Sequence, residues 1–445
     1  MGTRDGRIWR RSWPLFACLL LLGAGVAAAL SFASPATAQH HRSRRLGRTA
    51  DVPRGAHWIS TWAASPQAPA SGSLGAHGFA DQTVRNVVFT SVGGTVVRVR
   101  FTNVFGDSPL EIGRAAIAVA GHGAGVASGT EVPLSFGGRR SVVVPRGAEV
   151  LSDPVAITVP GQRDLAVSLF VTRATGPATG HIQADQVNYI AHGDHALDPG
   201  GSAFRTRTPS WYFVDSVDVV SQAAGAGTIV TLGDSITDGV GSRLDANARW
   251  PNDLARRLDP GGRGDTGVVD EGIGGNRVLS DPPCCGVSAV SRFKRDVAGR
   301  AGAREVILLE GINDIGQVRT TGPARAPHTK VSAAQIIAGD EEIIREAHAA
   351  GLAIIGATMT PFGGSQHWTV AGEITREEVN DWILTSGAFD GVIDFARVVA
   401  DPADPEVLNP AYDSGDHLHP NGAGYQAMAN AISLAMLRRD EHRVR

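Results

Sequence analysis

The sequence predicts two folds in series: an antiparallel β-sandwich over residues 56–222, then an α/β domain with a parallel sheet over residues 227–440. Three observations carry this reading. Apolar residues alternate at period two from about His57 to Val220. After residue 227, short apolar runs alternate with amphipathic stretches. The small-residue stretch Ala223-Ala224-Gly225-Ala226-Gly227 divides the two patterns. Period two turns one face of each strand to a core, whereas alternating strand and helix builds a parallel sheet covered on both faces.

In the first half, Thr95, Val97, Val99 and Phe101 alternate with Val96, Arg98 and Arg100. Leu165, Val167, Leu169 and Val171 alternate with Ala166, Ser168 and Phe170, and residues 141–145 and 211–220 read alike. Gly, Pro, Asn and Asp clusters separate the runs, and few helical patterns intervene. Strands that each bury one face pack as a sandwich. In the second half, strands are expected at Thr228–Leu232, Val268–Glu271, Val306–Leu309, Ala353–Ala357 and Val392–Phe395. Helices are expected at Trp250–Leu258, Ala289–Val297, Ala333–Ala349, Glu373–Leu384 and Ala423–Arg438. Sheets of this kind bind ligands beyond the carboxyl ends of their strands.

Composition narrows the function classes. The 445 residues hold 41 Lys plus Arg against 44 Asp plus Glu, a formal charge of −3, which argues against a nucleic-acid binder held by a basic face. Hydrophobic residues at 42% and charged residues at 19% exclude a disordered chain. The 55 glycines and 24 prolines imply many turns, and no internal repeat is visible. Residues 1–38 follow the grammar of a secretory signal: Arg4, Arg7, Arg10 and Arg11, then an apolar run from Leu15 to Leu30, then Ala36-Thr37-Ala38. That run is shorter than the ~20 residues of a membrane span, so cleavage near Ala38 and release without stable membrane insertion are expected. Residues 39–55 read as a basic linker. Cys18 leaves with the signal, and the adjacent Cys284 and Cys285 permit only a vicinal bridge or two free thiols.

The chemistry gathers at expected strand ends. Gly233-Asp234-Ser235 follows the first strand of the second half, where a serine hydroxyl can stand at the sheet edge beside the N–H groups of a following helix. A second Gly-Asp-Ser, at residues 106–108, precedes a proline and reads as a hairpin-like turn. Gly272-Ile273-Gly274-Gly275-Asn276-Arg277 is a turn whose backbone can approach a ligand, and Gly311-Ile312-Asn313-Asp314 offers an amide at the third strand end. Asp416 and His419 stand three residues apart before the last helix, so the carboxylate can hold one ring nitrogen while the other faces the cleft. Together these read as Ser235 nucleophile, His419 base and Asp416 orienter, with Ser235 N–H, Gly275 N–H and the Asn313 amide as oxyanion donors.

The four segments resemble, in order, the blocks of the SGNH (GDSL) hydrolase family, over roughly residues 227–440. Residues 247–250, 311–316, 357–363 and 413–420 are more closely similar to the branch near the XynE-like bacterial secreted esterases. The resemblance implies a flavodoxin-like three-layer α/β/α domain, a carboxylic ester hydrolase acting through an acyl-enzyme, acetyl groups on carbohydrate as the substrate, and no metal or organic cofactor. A lipase or lysophospholipase is the first rival. The rival of another class is a glycan-binding protein with an inactive hydrolase domain, using Trp58, Trp62, Trp211, Tyr212 and Phe213 to stack on sugars. His417 competes with His419 as base, and Asp416 with both histidines could be metal ligands. Asp234 and Asp314 read as structural, Arg277 as a surface ion pair before a substrate contact, and Trp250, His367 and Trp368 as either cleft or core.

Overall fold

The computed structural model describes residues 49–437, so the expected signal peptide, most of the basic linker and Arg438 lie outside the described residues. In the first half, strands His57–Ala63, Val214–Ser221, Gly94–Thr102 and Glu149–Leu151 lie in that order in one sheet, with Val155–Val159 also paired to Gly94–Thr102. A second sheet runs Thr206–Thr208, Asn188–His192, Gln82–Phe89, Asp164–Val171, Leu110–Val119 and Val132–Pro133, with Val142–Val144 on Leu110–Val119. Every pairing in these two sheets is antiparallel. Val97, Val99, Phe101 and Val217 of one sheet share a core with Val84, Val88, Ile112 and Val167 of the other.

One-faced burial holds for Gly94–Thr102 but not for Asp164–Val171, where Ala166 and Ser168 are buried too. Arg85 covers that outer face. Its Nε donates to Ser168 Oγ at 2.8 Å, its Nη2 to Asp198 O at 2.8 Å, and its guanidinium stacks 4.1 Å from the Phe204 ring. The single strand expected over 211–220 is broken at Phe213, whose φ of 63° is uncommon for a bulky residue. Trp211–Tyr212 therefore leaves the sheet and pairs with Gly180–His181. Gly106-Asp107-Ser108 joins strands of different sheets, so it is a crossover and not a hairpin.

The second half builds one parallel sheet in the order Thr266–Gly272, Gly227–Gly233, Ala303–Leu309, Ala353–Ala357, Gly391–Ile393. The first strand in sequence thus lies between the second and third, and its carboxyl end is the topological switch point. Helices Trp250–Leu258 and Ala333–Ala349 have the expected bounds, the latter opened by a Ser332/Gln335 capping box. The helix from Ala289 passes into a π-helix, Lys294–Ala298. Helix Val370–Thr385 begins before Glu373 because Thr369 accepts from Gly372 N. The fifth strand stops at Ile393 because Asp394 caps a short helix, Phe395–Val399. The last helix is Gly422–Ala431, shorter than expected; Arg257 donates to the carbonyls of Ala429 and Ile432 and satisfies the freed end.

The described residues fall within one compact unit. A Cβ on Gly267 would lie 2.1 Å from Ser60 O, so the two halves meet backbone to backbone there. A buried charge cluster spans the junction: Arg300 contacts Asp215 at 3.2 Å and Glu271 at 2.6 Å, and Arg292 donates to Ser65 Oγ at 2.8 Å. Among the described residues no helix is long and apolar enough to cross a membrane.

Candidate active site

The turn after strand Gly227–Gly233 needs its glycine. A Cβ on Gly233 would sit 2.3 Å from Thr237 Oγ1 and 2.4 Å from Leu309 O. Asp234 then caps a single-turn helix, Ser235–Asp238, by accepting from Ile236 N at 2.9 Å, as its structural reading required. Burial raises the Asp234 carboxyl to about 6 against the opposing Ile236 N–H bond and the His419 charge. One turn carries little macrodipole, so this end offers pointed N–H groups more than a helix field. Ser235 itself is buried but for 6% of its surface.

Asp416 and His419 arrive from the loop before the last helix. Asp416 Oδ1 accepts from Leu418 N at 3.0 Å and His419 N at 2.9 Å, folding the loop around the carboxylate. Its Oδ2 lies 2.6 Å from His419 Nδ1, and His419 Nε2 lies 2.8 Å from Ser235 Oγ. Burial pushes the Asp416 carboxyl up, but the His419 ring bond, the backbone bonds and the imidazole charge together hold it well below the usual carboxylate range. His417 is directed elsewhere. Its Nδ1 lies 2.7 Å from Asp413 Oδ2, and a Cβ on Gly364 would sit 3.4 Å from its ring. Among the described residues no three His, Cys, Asp or Glu side chains are grouped to hold a metal.

Gly275 occupies a turn closed by Asn276 N donating to Ile273 O at 3.0 Å, at a φ of +77° that favours glycine. A Cβ there would meet Cys285 Sγ at 2.7 Å, and Cys285 is disulfide-bonded to Cys284. Asn313 sits in the short helix Ile312–Gly316, and its Nδ2 is buried with no hydrogen-bond partner. An unpaired amide donor at a strand-end cleft is what an oxyanion site requires before substrate arrives. Asp314 binds the two loops together: its Oδ2 accepts from Val278 N at 2.7 Å and its Oδ1 from Leu279 N at 3.2 Å, and burial raises it to about 7.

Other expectations are corrected. Arg277 is not a surface ion pair. It is 3% exposed, and it donates to Gln317 Oε1 and to the carbonyls of Arg325 and Pro327, pinning the polar loop 317–330. Trp250 is a core residue, its ring tilted against that of Phe395 with centroids 5.5 Å apart. Trp62, Trp211, Tyr212 and Phe213 are buried and cannot present a sugar-stacking surface, and Trp58 is covered by Arg98 at 4.3 Å. His367 and Trp368 are half-buried, each with one ring nitrogen unpaired; burial and then the Arg325 charge lower the His367 pKa. Sequence reasoning missed Arg292, which donates to Gly233 O, Glu271 O and Asn276 Oδ1 and so ties the serine turn to the glycine turn. An arginine on an amphipathic helix reads as solvent-facing, so nothing marked it. It also missed Asp238, three residues after Ser235.

A hydrogen-bonded carboxylate, imidazole and serine at the switch point of a parallel sheet, with an unpaired amide donor, Asn313 Nδ2, just past another strand of that sheet, form a serine hydrolase arrangement. Residues 231–427 match the model of the GDSL-like Lipase/Acylhydrolase family. The match covers that segment, less than half of the chain, and is consistent with a carboxylic ester hydrolase. No curated protein matches the chain. Solved structures similar to it include an M. smegmatis aryl esterase (18% identity, 48% of this chain and 99% of that one, TM-score 0.37). A GDSL-like lipase from Bacteroides thetaiotaomicron is another (18%, 48% and 88%, TM-score 0.34). A carbohydrate acetylesterase family member from Sinorhizobium meliloti is a third (16%, 46% and 94%, TM-score 0.36).

Proposed function

We propose that the chain is a secreted serine esterase that cleaves short-acyl, acetyl-type esters of carbohydrate through an acyl-enzyme. The carrying observation is the unbroken chain from Asp416 Oδ2 through the His419 ring to Ser235 Oγ, at 2.6 Å and 2.8 Å. In this reading Ser235 Oγ attacks the ester carbonyl as His419 Nε2 takes its proton. Asp416, ionised, holds the Nδ1–H and stabilises the imidazolium that forms. The carbonyl oxygen, now negative, is received by the N–H groups of Ser235 and Gly275 and by Asn313 Nδ2. His419 then protonates the leaving alcohol. A water, deprotonated by the same nitrogen, releases the acid and restores Ser235. The first 38 residues support export, and the likeness to the XynE-like branch supports acetyl and carbohydrate. The two antiparallel sheets are read as a β-sandwich domain over 56–222.

A second reading, a lipase or lysophospholipase, is favoured by one observation: the apolar side chains Leu279, Val318, Val370 and Ile374 are exposed, Val370 and Ile374 by 65% and 52%. Assay of the chain from Gln39 on chromogenic esters from acetate to dodecanoate, and on acetylated xylan, separates the two. Best turnover of acetate, acetate release from xylan and an inert Ser235→Ala variant support the proposal. Preference for long chains replaces it with the lipase reading, and an inert parent overturns both.

A further inference from the structure

We propose that His181, a residue of the antiparallel half, is a positioning residue for the oxyanion turn at Gly275, acting through Asp238. The inference rests on the reading of Gly275 as an oxyanion donor. His181 reaches the junction because Phe213 turns Trp211–Tyr212 out of its sheet and pairs it with Gly180–His181. Its ring is 3% exposed and lies 5.4 Å from the Trp211 ring. Nδ1 is 3.0 Å from Ser65 O, and Nε2 is 3.1 Å from Asp238 Oδ1 and 3.2 Å from Gln183 O.

Ser65 O and Gln183 O can only accept, and Asp238 accepts when ionised, so the surroundings favour protons on both ring nitrogens, an imidazolium. Burial lowers the His181 pKa, but the Asp238 charge and hydrogen bond and the Ser65 bond outweigh it and raise the value overall. The other oxygen of Asp238 accepts from Gly274 N at 3.0 Å. Asp238 thus ends the serine helix and grips the residue before Gly275 at once. Gly274 and Gly275 are the two central residues of the turn from Ile273 to Asn276. The peptide between them carries the Gly275 N–H, and with two glycines in sequence little intrinsic preference fixes the tilt of that peptide. Asp238 supplies the restraint on one side, and the Asn276-to-Ile273 bond supplies it on the other. Without His181, Asp238 would be a buried carboxylate short of its cationic partner. It would turn toward Arg249, whose Nε already donates to Asp238 O, and release Gly274.

The test compares the parent chain with His181→Leu and His181→Gln on 4-nitrophenyl acetate, alongside hydrogen exchange of the segment 272–277. His181→Leu is expected to lower kcat about 10- to 100-fold, the range for misplacing a catalytic group by about an ångström, with KM nearly unchanged. His181→Gln, which keeps one donor toward Asp238, should recover part of kcat. Exchange should rise in 272–277 without rising through the antiparallel half. A His181→Leu protein with parental kcat at temperatures well below its melting point, whatever its stability, overturns the proposal while leaving Ser235 as nucleophile. Exchange that rises evenly through the antiparallel half also overturns it. If the parent itself hydrolyses no ester, the esterase reading falls and the oxyanion role of this turn falls with it.

Discussion

Replacing Asn313 by leucine should separate catalysis from stability, because the two respond to its amide with opposite sign. Asn313 Nδ2 is buried and makes no hydrogen bond. A buried donor left unpaired costs about 1–3 kcal/mol in the resting fold. Leucine is close to asparagine in shape and removes that donor, so the folded state should be unchanged or stabilised by up to about that amount. In the transition state the same amide is expected to meet the oxyanion, and losing one such donor typically costs about 2.7–4 kcal/mol, or a hundred- to a thousand-fold in kcat. Because the interaction strengthens only as charge develops, KM should move little. The assay pairs steady-state hydrolysis of 4-nitrophenyl acetate with urea denaturation of the same preparations. A variant that keeps kcat within about threefold of the parent, far short of a lost oxyanion donor, refutes the oxyanion assignment. One that loses activity only in proportion to lost folded protein refutes the argument that the amide is idle at rest.

Asp416→Asn should lower kcat by about ten thousand-fold, since an amide cannot hold the imidazolium and can favour the wrong tautomer; steady-state rates near neutral pH test this. Arg300→Met should destabilise the fold by about 3–5 kcal/mol in urea titrations, because it leaves Asp215, Glu271 and Asp296 buried without their shared cation. Adding Glu271→Gln to that variant should recover part of the loss, and no recovery would mean that the charges are solvated. Asp270 is raised by burial to about 7, the neighbouring Arg249 charge opposing. Its native state therefore holds a proton that the unfolded chain has released, so its contribution to stability falls as pH rises from the ordinary aspartate value to about 7. Asp270→Asn should flatten the fall in the urea midpoint between about pH 4 and pH 7, by comparison with the parent.

The candidate site was more legible in the sequence than the fold around it. Ser235, Gly275, Asn313, Asp416 and His419 each follow a strand or precede the last helix. In a doubly wound sheet those positions converge, so local motif and topology agreed. Parallel strands and long helices were also readable, since 3.6-residue periodicity and caps such as Ser332 and Asp394 are local signals. What escaped were long-range substitutions of one element's role by another's. Nothing near Phe213 announces a positive φ, because the strain is offset by tertiary bonds from Phe213 N to Thr179 O and from Thr102 N to Phe213 O. Nothing near residue 166 announces that Arg85 covers the second face of its strand. Arg277 and Arg292 were unreadable for the same reason: each is buried by carbonyls that come from other segments.

These long-range contacts bear on why the antiparallel half is attached at all. Strand Thr266–Gly272 is the edge of the parallel sheet, and exposed edges invite wrong pairing. Here Val268 N donates to Ser91 Oγ at 3.0 Å, and Ser60 O passes against Gly267 where any side chain would collide. Ala63 joins the hydrophobic core of the parallel half, so that core is closed partly by a strand from the other half. Ser65 and Asp215 then complete the polar shells of Glu271, Arg292 and Arg300, groups that sit directly behind the serine and glycine turns. A chain that began after the Ala223–Gly227 stretch would uncover apolar strand surface and strand several buried charges at once, each worth more than a surface pair when left alone. The parallel half can be recognised by itself in the sequence. In this chain the first half builds its edge and part of its core.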